Sequence, residues 1–517
     1  MLQLAFNRLG LPLLVCWSTL RIMLYGALDK RPLLGFEAAD LQRSMFYHYG
    51  LRAHLDYGFL EQIGRDGFKP PLWYGGVPIL FSWRDTLSSL DYLLVNAIAL
   101  GVAALVVWIL ARRLGGALVG AFSVVCLCAL PGVAGAATVI GVEMVQLAAM
   151  ACLVLLLIEL ASPRATTRTA GVTGVVLGLG MLAKWTLVVY LAVPVLGLLV
   201  ALRPSDGCDA RPLMRLVVAL GLAAALLLLW LVPYGDLGAI LAGAGGEASH
   251  PSRWGAATLL YYPRELLFSS LGVVAAPVVL LSLWGFWRGR AALAATPEAR
   301  TSGALLLAVV VSGPLLLTLL PHKELRYLVP IYPAVVILLG WGLGLFWRDS
   351  GRAGRAGVGA ALAVMVAMTL VVPWLDRSGE PEGSEYHYAE LRSAPTASDY
   401  GLEDVIRHPS LSEGGFAMVT YSIGGEGALA MAAMLQWELY GRNDTPVISR
   451  YNHPVVTLPA CHYDLARSSH FLTNRVLSAL EVDTLTSLGY EPRISSTPRI
   501  RSLGTLQLWQ RVGRWQR

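Results

Sequence analysis

Eleven long apolar runs divide the first three quarters of the chain, at 10–28, 92–111, 114–131, 144–160, 170–183, 186–202, 216–232, 266–287, 303–320, 327–347 and 357–375. A helix needs roughly 20 apolar residues to cross the hydrocarbon core, where no water is present to satisfy backbone polar groups. Each run therefore predicts a membrane-spanning helix. The pair 170–202 reads either as one long helix or as two short crossings that meet near Lys184, and charge parity across the chain favours two. The expected fold class is an α-helical polytopic membrane protein with about 11 transmembrane helices.

Two stretches break this pattern. The first, 29–90, is long and aromatic; Ala39–Tyr49 and Leu51–Ile63 read as short amphipathic helices lying in the membrane interface, with Trp73, Tyr74 and Trp83 as an aromatic belt. The second is the tail. There Phe416–Ser422 and Pro446–Tyr451 read as strands and Gly427–Tyr440 as a helix, and His470–Asn474, Val476–Leu488 and Leu506–Val512 repeat the alternation. The expected division is a transmembrane domain over 1–375 and a small soluble α/β domain over 376–517, joined by a linker at 376–399 rich in Ser, Glu, Pro and Tyr. No internal repeat or low-complexity tract stands out.

Composition agrees with the membrane class, since 56% of residues are hydrophobic and only 14% charged. Charge sets the orientation. Cytoplasmic loops hold an excess of basic residues, and with the N-terminus inside, each cytoplasmic loop carries arginines: Arg112 and Arg113; Arg164 and Arg168; Arg203, Arg211 and Arg215; Arg288, Arg290 and Arg300; Arg348, Arg352 and Arg355. An odd number of crossings then leaves 29–90 and the tail outside. The net charge of +6 follows largely from this topology and gives no reason to expect nucleic acid. Cys16, Cys126, Cys128 and Cys152 fall in spans, Cys208 in a cytoplasmic loop and Cys461 alone outside, which is no disulfide framework. The first apolar run lacks a small-residue cleavage site and reads as an uncleaved anchor. The bias towards Ala, Gly, Leu and Arg suggests a bacterial source, hence an inner (plasma) membrane.

The candidate chemistry gathers at the outer ends of the spans. Glu37 and Asp40, in FEAADLQ, are three apart and share one helical face. Glu143 opens the fourth span and is the only charge between Arg113 and Glu159. On the same side lie Lys69, held ahead of a stiffening double proline in FKPPLWYGG; Lys184, between two short spans; and His322, Lys323, Glu324 and Arg326 just before the tenth span. Taken singly, each has an ordinary explanation as a solvated charge, a helix cap or a snorkelling side chain. Together, carboxylates beside cations at a membrane face suit transfer chemistry in which a lipid-bound phosphate leaves and a hydroxyl attacks.

These elements resemble, in order, the GT-C superfamily of membrane glycosyltransferases, particularly protein O-mannosyltransferases and bacterial lipid A aminoarabinose transferases. The resemblance covers 1–375. It rests on the acidic motif at Glu37 and Asp40, the Lys69-Pro70-Pro71-Leu72 element, Glu143, the Gly-Leu-Gly-x-Leu-x-Lys segment ending at Lys184, and His322-Lys323-Glu324-x-Arg326-Tyr327 leading into Pro330 and Pro333. It implies an inverting transferase that takes a sugar from a polyprenyl-phosphate donor at the outer face and passes it to a lipid, glycan or protein acceptor. By that carry-over a first-loop carboxylate is the general base, Glu143 positions the acceptor or the base, and Lys69 and Arg326 bind the donor phosphate, with Lys184, His322 and Lys323 beside them. The chain departs from the family's common Asp-Glu pair, having Phe36-Glu37, so the base is Glu37 or Asp40, with Glu37 preferred.

Other functions are less well served by the residues. His48, His54, His250 and His322 form no metal-ligand spacing, although a dispersed divalent-metal site stays open. The 53 glycines form no phosphate loop after a strand and suit close helix packing instead. A transporter or lipid flippase is the alternative, because many spans with sparse charge suit it equally, though it would more often show inverted repeats and midplane charges. A structural subunit with a partner-binding outer domain would leave the acidic and basic motifs without a purpose.

Overall fold

The computed structural model describes residues 10–28, 36–52, 58–65, 69–84, 87–162, 165–202, 211–236, 238, 259–293, 297–319 and 325–371, and in the tail 417–421, 447–451, 470–473, 479–496 and 506–512. Within the described residues, each of the eleven apolar runs is mainly helical. In chain order these and the shorter helices between them are α1 (Leu11–Leu28), α2 (Phe36–Leu51), α3 (Phe59–Arg65), α4 (Pro71–Leu80), α5 (Ser89–Gly115), α6 (Ala117–Ala129), α7 (Pro131–Ala137), α8 (Glu143–Leu160), α9 (Thr167–Ala183), α10 (Leu187–Ala201), α11 (Arg211–Tyr234), α12 (Tyr261–Glu265), α13 (Gly272–Leu293), α14 (Pro297–Thr318), α15 (Tyr332–Asp349) and α16 (Arg352–Val366). A π-helical turn, Leu266–Leu271, joins α12 to α13, and a 3₁₀ turn, Leu325–Ile331, leads into α15.

Eight helical segments are long and apolar enough to span a membrane by themselves. Among the described residues the pair α6 and α7, bent by 55°, is a ninth if it crosses as one broken span, and α9 and α10 are shorter apolar helices. The run over 170–202 is thus two helices. The chain breaks at Lys184, which takes an extended conformation as it caps α9.

Local sequence explains the boundaries. Ser88 and Asp91 form a reciprocal capping box that starts α5, and Thr166 caps α9 by accepting from the Thr169 amide. Pro71 and Pro131 open α4 and α7 at the first helical positions, where a missing amide hydrogen costs nothing. Gly116, at φ +88°, makes the sharp turn between α5 and α6 that residues with a Cβ rarely adopt.

The helix α15 and the turn before it are nearly enclosed by the other spans. Small residues allow that enclosure. A Cβ on Gly340 would lie 2.1 Å from Ser123 Oγ of α6, and one on Gly285 of α13 would lie 2.0 Å from the Gly342 carbonyl oxygen. Backbones approach this closely only where side chains are absent. Large apolar side chains such as Leu13, Ile98, Leu105, Leu196, Leu229 and Val273 point outward, as a lipid-facing surface requires.

The first outer loop differs from its expected form. The helix expected at Ala39–Tyr49 runs over Phe36–Leu51, and it buries Leu41, Ser44, Met45, Tyr47 and His48 against protein. The second expected helix, Leu51–Ile63, is helical only from Phe59. The double proline does not hold an extended segment throughout: Pro70 is extended but Pro71 begins α4. Trp73 and Tyr74 are buried in a cluster with Tyr47, Phe81 and Tyr92, so of the expected aromatic belt only Trp83 is exposed.

In the tail, β1 (Ala417–Tyr421), β2 (Val447–Tyr451), β3 (His470–Thr473), β4 (Tyr490–Ser496) and β5 (Leu506–Arg511) form one sheet in the order β2-β1-β3-β5-β4. Strands β1, β2 and β3 are parallel, and β5 is antiparallel to both β3 and β4. Helix α17, Ala479–Ser487, precedes β4 through Gly489 at φ +85°. Four strands and this helix match the expected α/β alternation. Strand β4 was not expected, because Pro492 interrupts its pattern; the proline is accommodated at an irregularity on the edge of the sheet. The expected helix Gly427–Tyr440, the linker 376–399, Cys208 and Cys461 lie outside the described residues.

Candidate active site

Five separate segments bring charged side chains together. Asp40 and Arg43 lie one turn apart on α2, Lys69 precedes α4, and Tyr74 sits in its first turn. Glu143 is the first residue of α8, Lys184 occupies the break between α9 and α10, and Arg326 stands in the 3₁₀ turn before α15.

Asp40 is buried, and the Tyr74 hydroxyl donates to its Oδ1 at 3.0 Å. Lys69 Nζ donates to the same hydroxyl at 3.4 Å and lies 3.9 Å from Asp40 Oδ1. The Arg43 guanidinium and the Lys69 ammonium lie 5.1 and 5.5 Å from the centre of the Tyr74 ring, within range of its negative face. Burial pushes the Lys69 ammonium down to about 8; Asp40 opposes this, while Arg43, Arg326 and Lys184 add to it. The shift arises although 35% of the side chain's surface stays open. Lys69 is therefore recessed but reachable. Burial, with the Asp40 charge next, holds the Tyr74 phenol well above its usual range, so the hydroxyl remains a donor.

Glu143 is more enclosed still. Lys184 Nζ donates to its Oε1 at 3.0 Å, and Arg326 Nε lies 3.7 Å from the same oxygen. A carboxylate taken out of water needs such pairing. Lys184 and Arg326 also flank the Tyr327 ring, at 4.8 and 5.8 Å from its centre. The segments are tied together by polar contacts. Gln146 reaches the Lys184 carbonyl at 3.5 Å and Thr186 Oγ1 at 3.4 Å, and the Tyr190 hydroxyl donates to the Tyr327 carbonyl at 2.6 Å.

The two groups feel one another, since Lys69 is repelled by Arg326 and Lys184, and Lys184 is attracted by Asp40. Among the described side chains here, four cations face two carboxylates. An excess of positive charge in a recess favours a phosphate ligand, and carboxylates beside it can take a proton from an attacking group.

Of the residues expected from sequence, Asp40, Lys69, Glu143, Lys184 and Arg326 meet in this region. Glu37 lies in α2, one turn before Asp40, but its side chain is outside the described residues, as are His322 and Lys323. Arg43 and Tyr74 were not expected at the site, and Tyr327, quoted only as part of the motif that follows Arg326, had no role assigned. Arg43 could have been found, being three residues after Asp40 on the same helical face; Tyr74 required the helix that Pro71 begins. Among the described residues, no three His, Cys, Asp or Glu side chains converge as a metal site would need.

Two family models match parts of the chain: the dolichyl-phosphate-mannose-protein mannosyltransferase family over residues 84–230, and the Alg9-like mannosyltransferase family over 247–382. No curated protein matches the sequence. Among solved structures, the chain is similar to ArnT from Cupriavidus metallidurans in the apo state, with a TM-score of 0.60 at 13% identity over 96% of this chain and 97% of that one. ArnT bound to undecaprenyl phosphate matches with a TM-score of 0.57 at 15% identity over the same shares. The mycobacterial arabinofuranosyltransferase AftD matches over 98% of this chain but 40% of its own, with a TM-score of 0.55 and 13% identity. At these identities the likeness is one of fold. Both family models that match describe mannosyltransferases, so the chain is similar to membrane glycosyltransferases of the GT-C superfamily rather than to transporters.

Proposed function

We propose that the protein transfers a sugar from a polyprenyl-phosphate-linked donor to an acceptor at the outer, periplasmic face of a bacterial inner membrane, with inversion at the anomeric carbon. The observation that carries this reading is the cluster in which Asp40 and Glu143 stand among Arg43, Lys69, Lys184 and Arg326. The undecaprenyl phosphate in the ArnT structure of similar fold supports the choice of donor. The N-terminus is then cytoplasmic, 1–375 forms the catalytic membrane domain, and 376–517 lies outside.

In this reaction an acceptor hydroxyl attacks the anomeric carbon from the side opposite the phosphate. Its oxygen forms the new glycosidic bond, its proton passes to a first-loop carboxylate, and the bond from carbon to phosphate oxygen breaks with its electrons leaving on the polyprenyl phosphate. Lys69, Lys184 and Arg326 neutralise that leaving charge, and His322 and Lys323 stand close in sequence to assist. A fixed cation costs no reorganisation as the charge develops. The base is Glu37 or Asp40. The Tyr74 contact supports Asp40, because a hydrogen bond on one oxygen fixes the carboxylate while leaving the other oxygen to accept. Glu143, gripped by two cations, positions the groups around it. The acceptor is a lipid, a glycan or a protein.

The test is incubation of the purified protein with a panel of radiolabelled polyprenyl-phosphate sugars and a membrane extract, alongside Glu37→Gln, Asp40→Asn and Glu143→Gln. Release of polyprenyl phosphate with label moving to an acceptor, lost in one first-loop variant and lowered to a measurable residue in Glu143→Gln, is the expected result. Movement of intact donor between leaflets without its cleavage would overturn it.

A further inference from the structure

The chain approaches Glu143 through an unusual path. After α6 it bends into the short α7, then runs without regular helix from Thr138 to Val142, and every residue from Pro131 to Met144 is buried. Buried backbone without regular helix survives only where other parts of the protein satisfy its polar groups. Two side chains from flanking spans do so here. Arg21, in the middle of α1, donates from Nη2 to the Ala134 carbonyl at 2.9 Å. Asn96, in the second turn of α5, donates from Nδ2 to the carbonyls of Ala137 and Val139 at 3.3 and 2.7 Å.

Both donors are buried. An arginine inside a spanning helix is costly wherever it sits, so its retention calls for a use. Neither residue belongs to the charged group around the candidate site, yet both act on the segment whose next residue after Val142 is Glu143.

We propose that Arg21 and Asn96 are positioning residues which fix the buried segment 131–142 from two flanking spans, and so set where the Glu143 carboxylate meets Lys184 and Arg326. This rests on the role proposed above for Glu143. Loss of one contact would let the segment shift. A displacement of about 1 Å at a reacting group can lower turnover by roughly 100-fold.

The experiment uses the full chain in lipid nanodiscs, with Asn96→Ala, Arg21→Met and Arg21→Lys, each alone and combined with Glu143→Gln. Amide hydrogen exchange across 134–146 and steady-state release of polyprenyl phosphate are both measured. Exchange there should rise in Asn96→Ala and Arg21→Met, with exchange in α9 and α16 unchanged. Turnover should fall by up to about 100-fold, Arg21→Lys should keep most of it by retaining a donor, and neither variant should lower it further once Glu143→Gln is present. Unchanged exchange, or turnover losses that multiply with that of Glu143→Gln, would overturn the proposal. If Arg21→Met fails to fold, Asn96→Ala carries the same test. If the wild type transfers no sugar at all, the functional reading fails separately, and the exchange data still decide whether the segment is held by these two side chains.

Discussion

The Tyr74 hydroxyl donates to Asp40 Oδ1 at 3.0 Å while receiving a hydrogen bond from Lys69. One phenol thus ties α2 to α4 and sets the orientation of a buried carboxylate beside a cation.

Tyr74→Phe removes that donor but keeps the ring beneath Arg43 and Lys69. With Asp40 as the base, kcat should fall by about 100-fold or more, since general base catalysis is typically worth that much, while the donor KM stays within about twofold. Comparison of kcat and KM for the purified variant checks this. An unchanged kcat would return the role of base to Glu37.

Lys69 gives the reaction an alkaline limit. Its ammonium, lowered to about 8, is charged below that pH and loses its proton as pH rises through it. The free enzyme should therefore lose kcat/KM for the donor above about pH 8, because kcat/KM reports groups in the free enzyme. Lys69→Arg, which does not titrate in this range, should move the alkaline fall to higher pH even if its absolute activity is lower. A fall at the same pH in both proteins would assign it to another group.

Arg326 lies near Glu143 and flanks Tyr327. Arg326→Ala should raise the donor KM more than any other single cation change at the site, with the amount of folded protein unaltered. Arg326→Lys should recover only part of the loss, because an ammonium cannot present the planar fork of a guanidinium to a phosphate. Donor titrations on the three proteins measure it. A change confined to protein abundance would make Arg326 a support for Glu143 and nothing more.

The spans were legible because apolar length alone sets them, and the two helices over 170–202 were favoured over one long helix only by charge parity across the chain. Asp40, Lys69, Glu143, Lys184 and Arg326 were legible because charge beside hydrocarbon is scarce. Tyr74 was not, since an aromatic residue near a membrane face reads first as an interface anchor. Nor was the work of Arg21 and Asn96. Their partners are backbone carbonyls, which have no signature in sequence. Strand β4 stayed hidden behind Pro492 for a related reason: only its place at the edge of the sheet makes the proline tolerable.

Close packing of α13 against α15 yields the last prediction. A Cβ added at Gly285 would lie 2.0 Å from the Gly342 carbonyl oxygen and 2.9 Å from the Phe346 amide nitrogen, so the obstacle is backbone on both sides and no side chain can turn away. Gly285→Ala must push α13 off the enclosed α15, and overpacking of this kind costs about 1–3 kcal/mol. Gly359 in α16 is the control, for nothing lies within 4 Å of its added Cβ. There the same substitution should be neutral or stabilise by about 0.5–1 kcal/mol through helix propensity. Thermal unfolding in detergent should show Gly285→Ala melting below the wild type and Gly359→Ala at or above it. Equal melting temperatures for the two variants would mean that α13 and α15 are not in backbone contact.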